Sequence, residues 1–200
     1  NGDGLPTSDG QSKYLGNQNA KCMLGWNNNF SYKNFSAAFQ IDARIGGKMF
    51  SGTLMSMEAA GTGAWTVEGR DKMLVDGVVK DGDSYKANTT ETTAQKYWRQ
   101  VSGEAGSNLG ICEENLYDAT NVRLRNISIS YSIPKKYLAQ TNILQSVKFG
   151  FSCTNVFMIY SAMRGLDPES IFATSTNATG FEYGAAPTSR CYVFNISLGF

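Results

Sequence analysis

The chain has 200 residues, with 18 Lys+Arg against 17 Asp+Glu and a net charge of +1, which gives no electrostatic reason to expect a nucleic-acid partner. It contains no histidine, which removes Ser-His and Cys-His nucleophile systems and every His-containing metal site; the four cysteines (Cys22, Cys112, Cys153, Cys191) form no C-x-x-C pair, so a zinc knuckle is also out. No stretch approaches 18 apolar residues, so a transmembrane helix is excluded, whereas a transmembrane barrel is not.

The chain opens on Asn1-Gly2-Asp3-Gly4, with neither an initiator Met nor a secretion signal, so a mature piece or a fragment is expected. From Cys22 to Tyr32 the residues alternate. Cys22, Leu24, Trp26, Phe30 and Tyr32 share one parity, broken by Asn28, and the other parity is polar except for Met23. From Phe35 to Ile45, Phe35, Ala37, Phe39, Ile41, Ala43 and Ile45 share a face opposite Ser36, Ala38, Gln40, Asp42 and Arg44. Only Lys33 and Asn34 separate the two runs. Residues flanking a two-residue hairpin point the same way, and Tyr32 and Phe35 are both of the apolar parity, so the runs agree in register.

Residues 46–120 form a very long connection, within which Phe50, Leu54 and Met57 at helical spacing predict a short helix over residues 49–60. A strand then begins near Asn121. Ile127, Ile129, Tyr131 and Ile133 oppose Ser128, Ser130 and Ser132, but Val122 and Leu124 have the wrong parity and Arg123 and Arg125 take the other. That break reads as a bulge or a strand end. After a moderate connection over 134–145, Val147, Phe149, Phe151 and Cys153 alternate with Lys148, Gly150, Ser152 and Thr154. A long connection over 156–188 leads to a last run in which Tyr192, Phe194, Ile196, Leu198 and Phe200 share one parity.

These runs exceed the usual strand of about 5–6 residues and match the roughly 9–11 tilted residues that cross a bilayer. Their second face is Ser, Thr, Asn, Gln and Gly, which suits a wet lumen. Connections alternate short and long, as in an outer-membrane barrel with short periplasmic turns and long external loops. The expected fold is therefore all-β: five antiparallel strands in the wall of a larger transmembrane barrel, since about eight strands are needed to close one. The expected layout is an external loop over 1–21, a wall hairpin over 22–45, an external loop with a short helix over 46–120, two wall strands over 121–155 with a periplasmic turn at 134–145, an external loop over 156–188, and a final strand over 189–200. The alternative is a secreted, soluble β-sandwich acting as a glycan-binding or adhesin module, which also gives alternating strands. Detergent dependence separates the two. A third reading, an outer-membrane enzyme barrel, needs a nucleophile set that these residues do not supply; no enzyme activity and no cofactor or metal are expected.

Several motifs carry a resemblance. Residues 121–135, NVRLRNISISYSIPK, are similar to a late strand reading RLRNLSLGYTLPK. Asn155-Val156-Phe157 followed by Gly165-Leu166-Asp167-Pro168-Glu169 resembles an NLF…GxDPE loop, and residues 183–190 with 194–200 resemble YGxxPxxRxxxxGLNxxF. Tyr14-Leu15-Gly16-Asn17 and residues 25–35 match as well, while Ala20 stands where Pro is usual. Together these resemble the C-terminal barrel portion of SusC/RagA-type TonB-dependent outer-membrane transporters of Bacteroidetes. That resemblance implies the last five strands of a 22-stranded plugged barrel in the bacterial outer membrane. It implies import of glycans or oligopeptides, and a SusD-like surface lipoprotein as lid. It also implies energy from TonB–ExbB–ExbD, contacted through an N-terminal part that this chain lacks.

Some residues stand out individually. Gln40, Asp42 and Arg44 are expected to line the lumen, as a solvated wall pairing Asp42 with Arg44. Trp65, Tyr97 and Trp98 in the long connection offer aromatic faces to a ligand or partner, with packing inside a folded loop as the favoured role. Tyr32, Phe35 and Tyr137 read as an interfacial aromatic girdle. Phe200 sits on the apolar parity, and by resemblance is the barrel-assembly terminus. Asp81-Gly82-Asp83 lacks the remaining spacing of a calcium loop and reads as a polar turn. The cysteines are expected as free thiols.

Overall fold

The computed structural model describes residues 1–8, 10–103, 110–139, 143–171 and 174–200. In chain order the strands are β1 (Cys22–Tyr32), β2 (Phe35–Ile45), β3 (Lys48–Ser51), β4 (Met73–Leu74), β5 (Val78–Asp81), β6 (Ser84–Ala87), β7 (Glu91–Thr92), β8 (Leu116–Asp118), β9 (Asn121–Ser132), β10 (Ser146–Ser161), β11 (Phe181–Glu182) and β12 (Cys191–Gly199). The helices are α1 (Gly52–Ala60), α2 (Ala94–Val101) and α3 (Lys135–Leu138). The chain divides into two compact units.

The unit built from Asn19–Gly47, Asp118–Ser170 and Ala186–Phe200 carries a five-stranded sheet in the order β1-β2-β9-β10-β12. All four of its pairings are antiparallel. The hairpin register is the expected one, Tyr32 opposite Phe35 and Cys22 opposite Ile45. Lys33 adopts φ 52 at the turn, and the Asn34 side-chain amide donates to the Ser132 carbonyl at 2.9 Å, fastening the turn to the end of β9. Aromatic pairs run across the apolar face: Trp26 edge-on to Phe39, Phe35 beside Tyr131 at 4.5 Å, Phe151 beside Phe194 at 4.9 Å.

The parity break in β9 is a bulge. Gln40 pairs with Asn126 and Ile41 with Leu124, so Arg125 is the extra residue against β2. Against β10, Thr154 pairs with Asn126 and Phe157 with Leu124, so Asn155 and Val156 bulge opposite it. Asn155 takes φ 54 there, a left-handed conformation that Asn tolerates better than most residues. The extra residue flips the parity of what precedes it, which returns Val122 and Leu124 to the register positions of Ala43 and Ile41. The apolar face is thus continuous although the sequence alternation is not. The fourth strand also runs further than its alternation indicates, to Ser161 rather than about residue 155.

That face is not covered. Trp26, Phe30, Phe149, Tyr192, Phe194 (79% exposed), Ile196 and Phe200 (73% exposed) all stay open. Leaving such side chains in water forfeits about 1.5–3 kcal/mol each, so the face requires an apolar surrounding. Cys153, on the same face, is buried between its register partners Ile127 and Tyr192. Cys22, Cys153 and Cys191 form no disulfide.

The segments read as separate connections gather into the second unit, Asn1–Gln18, Lys48–Tyr117 and Ile171–Ala185. Its sheet has the order β11-β3-β8, with β11 parallel to β3. Met49, Leu54 and Val101 are fully buried. The predicted helix starts at Gly52 rather than 49, because Ser51 caps it: its Oγ accepts the Leu54 N–H at 3.1 Å. Phe50 therefore lies on β3, beside the ring of Phe181. Gly61 at φ 67 ends the helix in the left-handed cap that glycine adopts without strain. Helix α2, capped by Thr93, was not expected from the sequence. Asp81-Gly82-Asp83 closes the β5–β6 hairpin as a polar turn, with Lys86 paired to Asp81 at 3.2 Å. Among the described residues no helix is long and apolar enough to cross a membrane, which bears only on helices.

Candidate functional site

The polar face of the sheet carries its charge where β9 bulges. Arg123 lies opposite Asp42 in the β2 register, and Arg125 follows at the bulge. The turn bearing Gly165-Leu166-Asp167-Pro168-Glu169 closes over them. Glu169 accepts Arg125 Nη1 at 2.9 Å and Nη2 at 2.6 Å, a two-pronged fork. Arg125 Nε donates to Asp42 Oδ2 at 2.9 Å, while Gln40 donates to Asp42 Oδ1 at 2.9 Å. Arg123 donates through Nη2 to Asp167 Oδ1 at 2.5 Å, and through Nη1 to Asn155 Oδ1 at 2.5 Å and Thr188 Oγ1 at 2.8 Å. Asp167 also accepts the backbone N–H groups of Glu169 at 3.0 Å and Thr188 at 3.1 Å.

Arg123 is 2% exposed. A guanidinium so buried is tolerable only when paired and hydrogen-bonded, and Asp167, Asn155 and Thr188 do that. Burial pushes the Asp167 carboxyl up, but hydrogen bonds from Thr188, the Glu169 N–H and Arg123 outweigh it and hold the group below the usual carboxylate range. The Arg125 fork is the main reason that Glu169 also lies low, burial opposing it. Two guanidinium groups face three carboxylates, and Gln40, Asn155, Thr188 and two backbone N–H groups complete the hydrogen bonding. The arrangement can hold a turn in place and present a polar wall; it contains no nucleophile with an adjacent base.

Of the residues singled out in the sequence, Gln40 and Asp42 join this cluster. The expected partner of Asp42 was Arg44, two positions along the same strand; the ion pair it makes with Arg125 is across to β9. Arg44 lies on β2 opposite Asn121. In the other unit, Trp65 Nε1 donates to the buried Glu58 at 3.1 Å, and Tyr97 and Trp98 meet edge-on at 5.0 Å. Burial, then the charges of Glu114 and Glu58, push the Tyr97 phenol up. Trp98 lines a cleft of about 400 Å³ with Glu58, Thr66, Arg70 and Gln95. The structure therefore places these aromatics in packing contacts within a folded unit. Phe200 follows β12 and is exposed. Arg123, Arg125, Asn155, Asp167, Glu169 and Thr188 were missed as site residues. The signal was a pair of arginines straddling a parity break, together with two acids flanking a proline.

An antiparallel sheet with one open apolar face and one polar, charged face has the construction of part of a transmembrane β-barrel wall. In sequence the chain is 25% identical over 198 residues to the TonB-dependent receptor P3 of Formosa agariphila, covering 96% of this chain and 18% of that protein. In structure it is similar to the RagAB peptide importer in its "closed-closed" state (TM-score 0.57, 18% identity, 89% of this chain and 17% of that one). It is likewise similar to the RagAB peptide transporter (TM-score 0.57, 20% identity, 88% and 17%). No protein-family model matches the chain. The chain thus spans under a fifth of the relatives it matches, and the likeness bears out the resemblance to the C-terminal barrel portion of a SusC/RagA-type TonB-dependent receptor.

Proposed function

We propose that this chain forms part of the barrel wall of a TonB-dependent outer-membrane importer of glycans or oligopeptides. The observation that carries the reading is the sheet with its uncovered apolar face. Eleven residues in β1, at about 3.3 Å rise and about 45° tilt, project to roughly 25 Å along the membrane normal, the height of the apolar band of such barrels. Strands β1 and β12 are the sheet's edges, and hydrocarbon does not tolerate open edges. Further strands of the same barrel would pair with them. The Lys33-Asn34 turn and the described residues 134–139 after β9 lie at the periplasmic side, and the long connections lie outside. Outer-membrane lipid surrounds the apolar face, and the polar face with Gln40, Asp42 and Arg44 lines the lumen. A SusD-like lipoprotein meets the external parts, and TonB–ExbB–ExbD acts through residues beyond this chain. The role is transport without covalent chemistry, in keeping with relatives named as a receptor and an importer.

The test is fractionation of the native host followed by unheated and heated gel electrophoresis of the gene product. The reading expects recovery in the outer membrane, dependence on detergent, and a mobility that changes on heating. A soluble, monodisperse protein with an unchanged mobility would establish the secreted-module reading instead, which the open apolar face disfavours.

A further inference from the structure

We propose that Arg123 and Arg125 form a buckle that fastens two feet, residues 167–170 and 186–189, to the polar face of β9, so that these feet can be released together without unpairing the five-stranded sheet. The inference concerns the sheet's own architecture and stands independently of what is transported.

The outgoing foot is Asp167 to Ser170 and the returning foot is Ala186 to Ser189. Asp167 and Glu169 of the first foot are held by Arg123 and Arg125. Thr188 of the second foot receives a hydrogen bond from Arg123 Nη1, and its own Oγ1 donates to Asp167 Oδ2 at 2.5 Å. Asn155 Nδ2 donates to the Thr188 carbonyl at 3.0 Å and to the Ser189 carbonyl at 3.1 Å. Ser170 Oγ closes the loop by donating to the Ala186 carbonyl at 3.0 Å. One arginine thus touches both feet, and one bulge carries the second arginine.

The bulge explains why the buckle is separable. Arg125 has no register partner on β2 or on β10, and Asn155 is its counterpart on the other strand. Arg123 does have register partners, Asp42 and Met158, but its contacts to the feet, like those of Arg125 and Asn155, are made by the side chain, so breaking them removes no ladder hydrogen bond. The contacts of Arg123 and Arg125 to Asp167 and Glu169 are charge-assisted, stronger than neutral hydrogen bonds but dependent on each partner keeping its charge. A clasp of this kind opens as a unit, because removing one partner leaves its mate buried and uncompensated.

Two backbone amides report on it directly. The N–H groups of Glu169 and Thr188 are both bonded to the Asp167 carboxylate. The experiment is hydrogen–deuterium exchange on the full-length gene product in detergent, comparing wild type with Asp167→Ala/Glu169→Ala and with Arg123→Gln/Arg125→Gln. The expected result is exchange at least about tenfold faster in peptides covering 165–171 and 186–190, with the β9 ladder amides over 126–132 within about twofold of wild type. Unchanged exchange at the feet overturns the proposal. So does a parallel rise in the ladder, or failure of both variants to form a heat-modifiable barrel, since a sheet independent of the buckle stands without it. If only the arginine variant fails to assemble, the loop-side variant decides by the same criteria. The transport reading fails on different evidence, namely a protein outside the outer membrane.

Discussion

Glu169 and Arg125 are 44 residues apart in the chain, yet both terminal nitrogens of the arginine meet both oxygens of the carboxylate, at 2.9 and 2.6 Å. That fork, and the neighbouring Arg123–Asp167 pair, tie the turn over 165–169 to β9 at its bulge. Four expectations follow from the sheet and its charged face, each with its own measurement.

Arg123→Met removes the cation from a carboxylate that stays largely buried. Breaking such a pair from one side costs about 3–5 kcal/mol. The double variant Arg123→Met/Asp167→Leu removes both charges, and is expected to recover a large part of that loss through a coupling of about 0.5–3 kcal/mol. Urea unfolding in lipid vesicles, followed by gel mobility, measures both; additive losses would contradict the pairing.

Acid should loosen the turn. Asp167 and Glu169 are both held below their ordinary values of 3.8 and 4.5. A depressed folded-state pKa contributes stability that is full above the ordinary value and is lost as pH falls through the folded value. Exchange at the Thr188 and Glu169 amides, corrected for intrinsic rates, should therefore be flat from pH 7 to 5 and accelerate below about pH 4. Loosening complete by pH 5, or loosening on alkalinisation, would count against the carboxylates as the cause.

The two faces should respond oppositely to charge. Phe194→Arg places a guanidinium on the open apolar face, which in a bilayer costs about 2–4 kcal/mol near the midplane. Ser130→Arg places the same group on the polar face, where about 0.5 kcal/mol or less is expected. The amount of heat-modifiable barrel in the outer membrane should fall for the first and hold for the second. Equal tolerance would mean that lipid does not meet Phe194.

Gly150 makes room for a neighbour. A Cβ at this position would fall on the Asn195 side-chain oxygen, across the register pair of β10 and β12. That oxygen is the far end of an exposed side chain, so Gly150→Ala is expected to cost only about 0.5–1.5 kcal/mol, from turning Asn195 off its rotamer, and Asn195→Gly in the same chain should remove that cost. A lack of rescue in barrel stability would place the strain elsewhere.

Much of the sheet was legible because a strand's period is 2 and each long strand declares its own faces. Tyr32 and Phe35 showed the hairpin register before any contact was known, and the failed alternation at Val122 and Leu124 marked a bulge or a strand end, of which the pairing on both sides makes it a bulge. Local pattern could not say that Arg125 is the bulged residue, because that depends on how many residues β2 and β10 spend on the same span. The packed unit was equally hidden. Phe50 belongs to β3 because Phe181 arrives beside it from a distant part of the chain. The predicted helix was displaced by a single cap at Ser51.

The sequence by itself determined the five long strands, the apolar and polar sides of each, and the hairpin at Lys33-Asn34, since all of these are properties of residues within a few positions of one another. Only the tertiary structure decided that Asp42 faces Arg125, that Asp167 and Glu169 return to β9, and that dispersed connections share one core. Those outcomes turn on pairings between distant segments, and on geometry at a bulge, which no periodicity within one segment encodes.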